Sequence, residues 1–170
     1  AITGSTTVCQ GSSQTYSIGA VTGATSYTWT LPSGWSGSST TTSITATAGA
    51  SGGPISVKAN NSCGSSTPRT LSVSVTTIPA QPGSITGSTS VCQGSSQTYS
   101  ITAVSGAASY TWTLPSGWSG SSTTNSIIAT VGTTGGIISV TANNTCGSST
   151  PRTLSVSVTA IPAQPGAITG

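Results

Sequence analysis

Tyr27-Thr28-Trp29-Thr30-Leu31-Pro32-Ser33-Gly34-Trp35, YTWTLPSGW in one-letter code, recurs letter for letter at Tyr110–Trp118. Apolar and hydroxyl side chains alternate as far as Leu31, and Pro-Ser-Gly then interrupts the run. A period of two puts Tyr27, Trp29 and Leu31 on one face and Thr28 and Thr30 on the other, which is the pattern of a half-buried strand ending in a turn. The rings are therefore either a core or a ligand platform.

The same alternation runs through the rest of the first half of the chain. It predicts strands at Thr6–Cys9, Gln14–Ile18, Ser26–Leu31, Ser43–Ala48, Ile55–Ala59 and Thr70–Ile78, separated by turns rich in Gly, Ser, Asn and Pro. Tyr16, Ile18, Ile44, Ala46, Ile55, Val57, Leu71, Val73 and Val75 join the inward set, and Ser56, Lys58, Ser72 and Ser74 face water. No helical period appears, and the short, evenly spaced strands predict an all-β sandwich.

Residues 1–83 align with 84–166 without a gap, and 14 positions differ. The chain thus reads as two domains: a sandwich at 1–78, a Pro-rich linker at 79–83, a second sandwich at 84–161 and a second linker at 162–166. Residues 167–170, AITG, copy residues 1–4 and read as the start of a third repeat. Two prolines in each IPAQPG segment (78–83 and 161–166) restrict the backbone to extended conformations, so the expected assembly is a rod.

The composition excludes whole classes of function. There is no Asp, Glu or His, and the only charged side chains are Lys58, Arg69 and Arg152. Acid and base catalysis needs a group that changes protonation near neutral pH, and an activated Ser or Cys needs a base beside it, so no enzyme is expected. No metal site and no cofactor are expected either, because the oxygen and imidazole ligands are missing. A net charge of +3 is too sparse to track a phosphate backbone, which argues against nucleic acid as a partner. No apolar run of about 18 residues exists to cross a membrane, and no charged leader precedes the repeats, so any secretion signal is expected outside this segment. Ser and Thr number 69, yet the apolar residues among them are too regularly placed for a disordered tract.

The order of motifs is specific: VC-G, TYSI, SYTWTLPSGW, ISV-AN--CG and TLSVSV in each repeat. It resembles the PKD-like, immunoglobulin-like repeats of very large secreted surface proteins typical of Bacteroidetes. The resemblance implies a seven-stranded sandwich in long tandem arrays of cell-surface adhesins and filaments, gliding-motility adhesins among them, exported through the Sec and type IX pathways. LPSGW stands where better-known PKD domains have an acidic FGDG turn, so their calcium and sugar roles are not carried over.

Several residues remain as candidate sites. Trp29 is expected in the core. Trp35 and Trp118, in their turns, either cap the sandwich or stack on a sugar, and the second option makes the chain an array of weak carbohydrate-binding modules. Asn60 and Asn143 begin N-x-Ser/Thr patterns and are candidate glycosylation positions. Arg69 and Arg152 open the last strand, either as edge-protecting charges or as contacts to a neighbouring repeat. Cys9, Cys63, Cys92 and Cys146 fall at the same two places in each repeat and point to structural disulfides in an oxidising compartment. The pairs Cys9–Cys63 and Cys92–Cys146 would lie within a repeat. Cys9 belongs to the first turn and Cys63 to the last hairpin, which sit at opposite ends of an immunoglobulin-type sandwich, so the preferred reading is Cys9–Cys146 across the linker. Cys63 and Cys92 would then bond further repeats.

The expected function is a structural spacer of a long secreted adhesin or extracellular filament at the cell surface. Its expected partners are neighbouring repeats of the same chain, with lateral self-association favoured by the sparse charge. A chain without carboxylate or imidazole side chains should keep its thermal midpoint between mildly acidic and mildly alkaline buffer and on adding a chelator. Calorimetry checks this, and a chelator-induced drop of several degrees would contradict it.

Overall fold

The computed structural model describes residues 1–167 and contains no helix among them. It divides into two compact units, Ala1–Thr77 and the segment from Ile78 onward. The expected third-repeat start, 167–170, lies outside the described residues apart from Ala167.

Unit 1 has β1 (Thr7–Cys9), β2 (Ser13–Ser17), β3 (Ser26–Thr30), β4 (Ser43–Thr47), β5 (Gly53–Asn61), β6 (Gly64–Ser65) and β7 (Arg69–Thr76). Unit 2 repeats the series as β8 (Ser90–Cys92), β9 (Ser96–Ser100), β10 (Ser109–Thr113), β11 (Ser126–Thr130), β12 (Gly136–Asn144), β13 (Gly147–Ser148) and β14 (Arg152–Thr159). In unit 1 the larger sheet runs β1-β7-β5-β3, with β6 paired to the end of β5, and β2 pairs with β4 in the second sheet. The first strand lies parallel to the last, Val8 opposite Val75 and Cys9 opposite Thr76, and every other pairing in the unit is antiparallel. The six strands expected from alternation all form. The seventh, β6, is a two-residue hairpin arm too short to carry a period.

Side chains from both sheets meet in one core per unit. Tyr16, Ile44, Ala46, Ile55, Val57 and Val73 are buried in unit 1, with Ile18, Trp29, Leu31, Leu71 and Val75 packed against them. The partners of these residues along each strand, such as Thr28, Thr30, Ser72 and Ser74, are exposed. The alternation in the sequence is thus the alternation of the pleat.

Tyr16 has no exposed surface, and its hydroxyl donates to the Ser5 carbonyl at 3.1 Å. The ring lies against Gly4, where a β-carbon would collide with it and where φ is +152°, so only glycine fits. Tyr99 repeats the arrangement with Ser88 and Gly87. Burial raises the pKa of both phenols above the ordinary value of 10.0 by disfavouring the charged phenolate.

Truncating Tyr16 to Ala should cost unit 1 roughly 3–5 kcal/mol, the range for large buried aromatics. Calorimetry should then show an early transition for unit 1 and an unmoved one for unit 2, because the two cores are separate. The phenols also set an alkaline limit. Below pH 10 folded and unfolded chains both hold these protons, and stability is flat. Above it the unfolded chain releases protons that the folded chain retains, so stability should fall as pH rises through the raised folded values. Denaturant titrations from pH 8 to 12 check this, and Tyr16→Phe with Tyr99→Phe should lessen the fall.

Candidate interaction site

The aromatic residues settle first. The Trp35 indole is buried, its ring centroid 6.5 Å from that of Tyr16, and its Nε1–H donates to the Ser51 carbonyl at 2.8 Å. Trp118 does the same with Tyr99 and Thr134. A sugar-stacking ring must present a free face, so the candidate glycan contacts at Trp35 and Trp118 are overturned. Both cap the core by filling it. Trp29, expected to be the core tryptophan, is only half-buried, because β3 is an edge strand; its Nε1–H reaches the Thr41 carbonyl at 2.9 Å.

Asn60 lies on β5, and its amide is engaged at both ends. Nδ2 donates to Thr28 Oγ1 at 2.9 Å and Oδ1 accepts from Ser65 Oγ at 2.7 Å. Asn143 Nδ2 donates in the same way to Thr111 Oγ1. A glycan on either nitrogen would have to displace these bonds. Lys58 is exposed on the same strand, opposite Thr28.

The cysteines differ between equivalent positions. Cys9 and Cys146 are disulfide-bonded, whereas Cys63 and Cys92 are exposed free thiols. The intra-repeat pairs Cys9–Cys63 and Cys92–Cys146 are therefore not formed. The register explains why. Cys9 is opposite Thr76 at the end of β7, while Cys63 lies beyond Asn61, past the pairing of Arg69 with Val57 at its start. From Arg69 to Thr76 the strand extends roughly 23 Å, against the 7 Å or so that a disulfide can span between Cα atoms.

The hairpin end of unit 2 carries a second feature that the sequence did not reveal. The segment Ile78–Gly83 folds back on the end formed by β12, β13 and the start of β14. Gln81 Nε2 donates to the Pro151 carbonyl at 2.9 Å, and Arg152 Nε donates to the Pro82 carbonyl at 3.0 Å. Ile78 Cγ2 sits 3.1 Å from where a β-carbon on Gly147 would be. Pro82 is fully buried. Arg152 thus bonds to the linker segment that packs within its own unit, and this bond does not test the expected contact to a neighbouring repeat. Beneath the segment, Ser149 is buried and satisfied, accepting from the Ala142 amide and donating to the Thr150 carbonyl. Only the IPAQPG composition could have flagged this docking, since two prolines keep the segment extended and Gln81 is its one polar side chain.

No helix among the described residues is long and apolar enough to cross a membrane. Among curated protein sequences none matches the chain. Solved structures share the fold at low identity. Titin domains A168–A170 match with a TM-score of 0.54 and 17% identity over 90% of this chain and 61% of theirs. The Escherichia coli adhesin FdeC matches with 0.53 and 17% over 94% and 63%, and a 282-residue C-terminal intimin fragment with 0.53 and 16% over 92% and 63%. The chain spans about three-fifths of each of these three. The profile of the PKD-like domain matches residues 1–73 and again 78–156. Two sandwiches of immunoglobulin-like topology, each covered by that profile, place this chain in the PKD-like domain family as a tandem pair.

Proposed function

We propose that this tandem pair is a structural spacer of a long extracellular adhesin or filament, in which a Cys9–Cys146 disulfide staples one repeat to the next. The cysteine states carry the reading: the two bonded residues belong to different repeats, and their equivalents in the other repeat are free thiols. A bridge of that kind contributes nothing to either core. It restrains the connection between repeats, which is the property a load-bearing spacer requires. A structural disulfide also points to an oxidising compartment, hence to the outside of the cell.

The composition supports the same role. Without carboxylates or imidazoles the chain is insensitive to calcium and to moderate pH, and three basic residues leave few cleavage points for trypsin-like proteases. The adhesins FdeC and intimin share its fold, though not its sequence. The natural partners in this reading are further repeats of the same chain.

Trypsin cuts after Lys58, Arg69 and Arg152, which separates residues 1–58, 59–69, 70–152 and 153–170. After thiol alkylation and digestion without reductant, 1–58 should remain joined to 70–152, while 59–69 carries an alkylated Cys63. Finding 1–58 joined to 59–69 would overturn the pairing. Reduction should leave near-ultraviolet circular dichroism unchanged, because neither core contains a bridge. Collapse of that signal would refute the stapling role.

A further inference from the structure

The two units present the same hairpin end in different environments. In unit 1, β5, β6 and the turn at Val21–Ala24 border an open groove of about 280 Å³, lined by Val21, Ala24, Ala59, Cys63, Gly64 and Ser66. In unit 2 the equivalent end is covered by Ile78–Gly83. Ser149 is 7% exposed where Ser66 is exposed, Ala142 is 0% exposed where Ala59 is half-buried, and Arg152 is half-buried where Arg69 is exposed. Ile78 packs at Gly147, whereas a β-carbon on Gly64 would meet nothing within 4 Å. The lining sequence hardly differs: of the eleven residues that border the groove only Thr22 changes, to Ser105, and the six named recur in unit 2 as Val104, Ala107, Ala142, Cys146, Gly147 and Ser149.

The segment that fits the groove is also present. Ile161–Gly166 reads IPAQPG, identical to Ile78–Gly83, and all six of its residues are exposed. We propose that the groove of unit 1 is the docking site for Ile161–Gly166 of a second copy of this chain, so that copies join head to tail. Shifted by one repeat, the contacts are those seen within unit 2. Ile161 would pack at Gly64, Gln164 would donate to the Pro68 carbonyl, and Arg69 would donate to the Pro165 carbonyl. The contact is heterologous and does not close on itself, so it propagates. Within a chain the segment is tethered at millimolar effective concentration, and between copies that advantage is lost, so the docking is weak until a covalent bond holds it.

The free thiols can supply that bond. This step rests on the Cys9–Cys146 pairing proposed above, because Cys63 and Cys92 of successive copies stand in the same relation. With oxidised glutathione as oxidant, the Cys63 thiolate displaces one glutathione to form a mixed disulfide, and Cys92 of the second copy displaces the other. Two protein thiols become one disulfide and two glutathione thiols carry away the electrons and protons.

The test uses the full chain. Incubated with oxidised glutathione, it should form dimers and longer oligomers. In the excised dimer, tryptic peptide 59–69 should be joined to 70–152, with Cys63–Cys92 bonds at least about tenfold more abundant than Cys63–Cys63 and Cys92–Cys92 bonds together, a preference of about 1.4 kcal/mol. A statistical mixture of the three, or monomers carrying glutathione only, would overturn the proposal. Ile161→Asp with Pro165→Asp, both on the exposed segment, should slow oligomer formation at least about tenfold, and an unchanged rate would also overturn it. Docking is read without thiols in Cys63→Ser with Cys92→Ser. Its sedimentation-average mass should rise with concentration and lose that rise with Ile161→Asp, while a monomer at all concentrations refutes docking. Joined peptides 1–58 and 70–152 in the monomer band, with Cys92 and not Cys146 carrying the alkyl or glutathione group, report the Cys9–Cys146 reading separately, so either idea can fail alone.

Discussion

The burial of one tyrosine per unit organises the fold. Tyr16 and Tyr99 have no exposed surface, yet each hydroxyl reaches a backbone carbonyl, so a polar group is carried into the sandwich without cost of an orphaned donor. The ring fixes three things around it. It requires glycine at position 4, it gives Trp35 a wall to pack against, and through β2 it sets which face of β4 turns inward. A chain with no Phe or Met relies on these eight Tyr and Trp rings for bulk, and Ile, Val and Ala fill the remainder.

A surface so poor in charge places unusual weight on backbone chemistry. The described contacts of the Ile78–Gly83 segment are one apolar packing and two hydrogen bonds to proline carbonyls. Proline lacks an N–H but keeps its carbonyl, and neither Pro82 nor Pro151 lies in a strand, so their oxygens remain free to accept. Arg152 works here as a hydrogen-bond donor, with no carboxylate in the chain to pair with.

The near identity of the two repeats turns the structure into an internal comparison. Ser66 and Ser149, Arg69 and Arg152, and Cys63 and Cys146 are chemically the same residues, and they differ in exposure. The cysteines show the contrast most sharply: in equivalent turns, Cys63 is a free thiol and Cys146 is disulfide-bonded.

Most of the fold was legible in the sequence because half-buried strands write their two faces into a period of two. Tyr27, Thr28, Trp29 and Thr30 alternate in composition as they alternate in exposure, and six strands with their inward residues follow from that signal alone. The signal carries no information about strand order, and there the tertiary structure decided. Trp29 and Trp35 look alike in YTWTLPSGW, but β3 lies at a sheet edge and leaves Trp29 half-open, while the turn folds Trp35 under Tyr16. The two-residue β6 has no period to read. Identical cysteines, arginines and IPAQPG segments meet different fates, because accessibility and disulfide partnership depend on which chain segment arrives in space, a quantity that no local pattern of residues encodes.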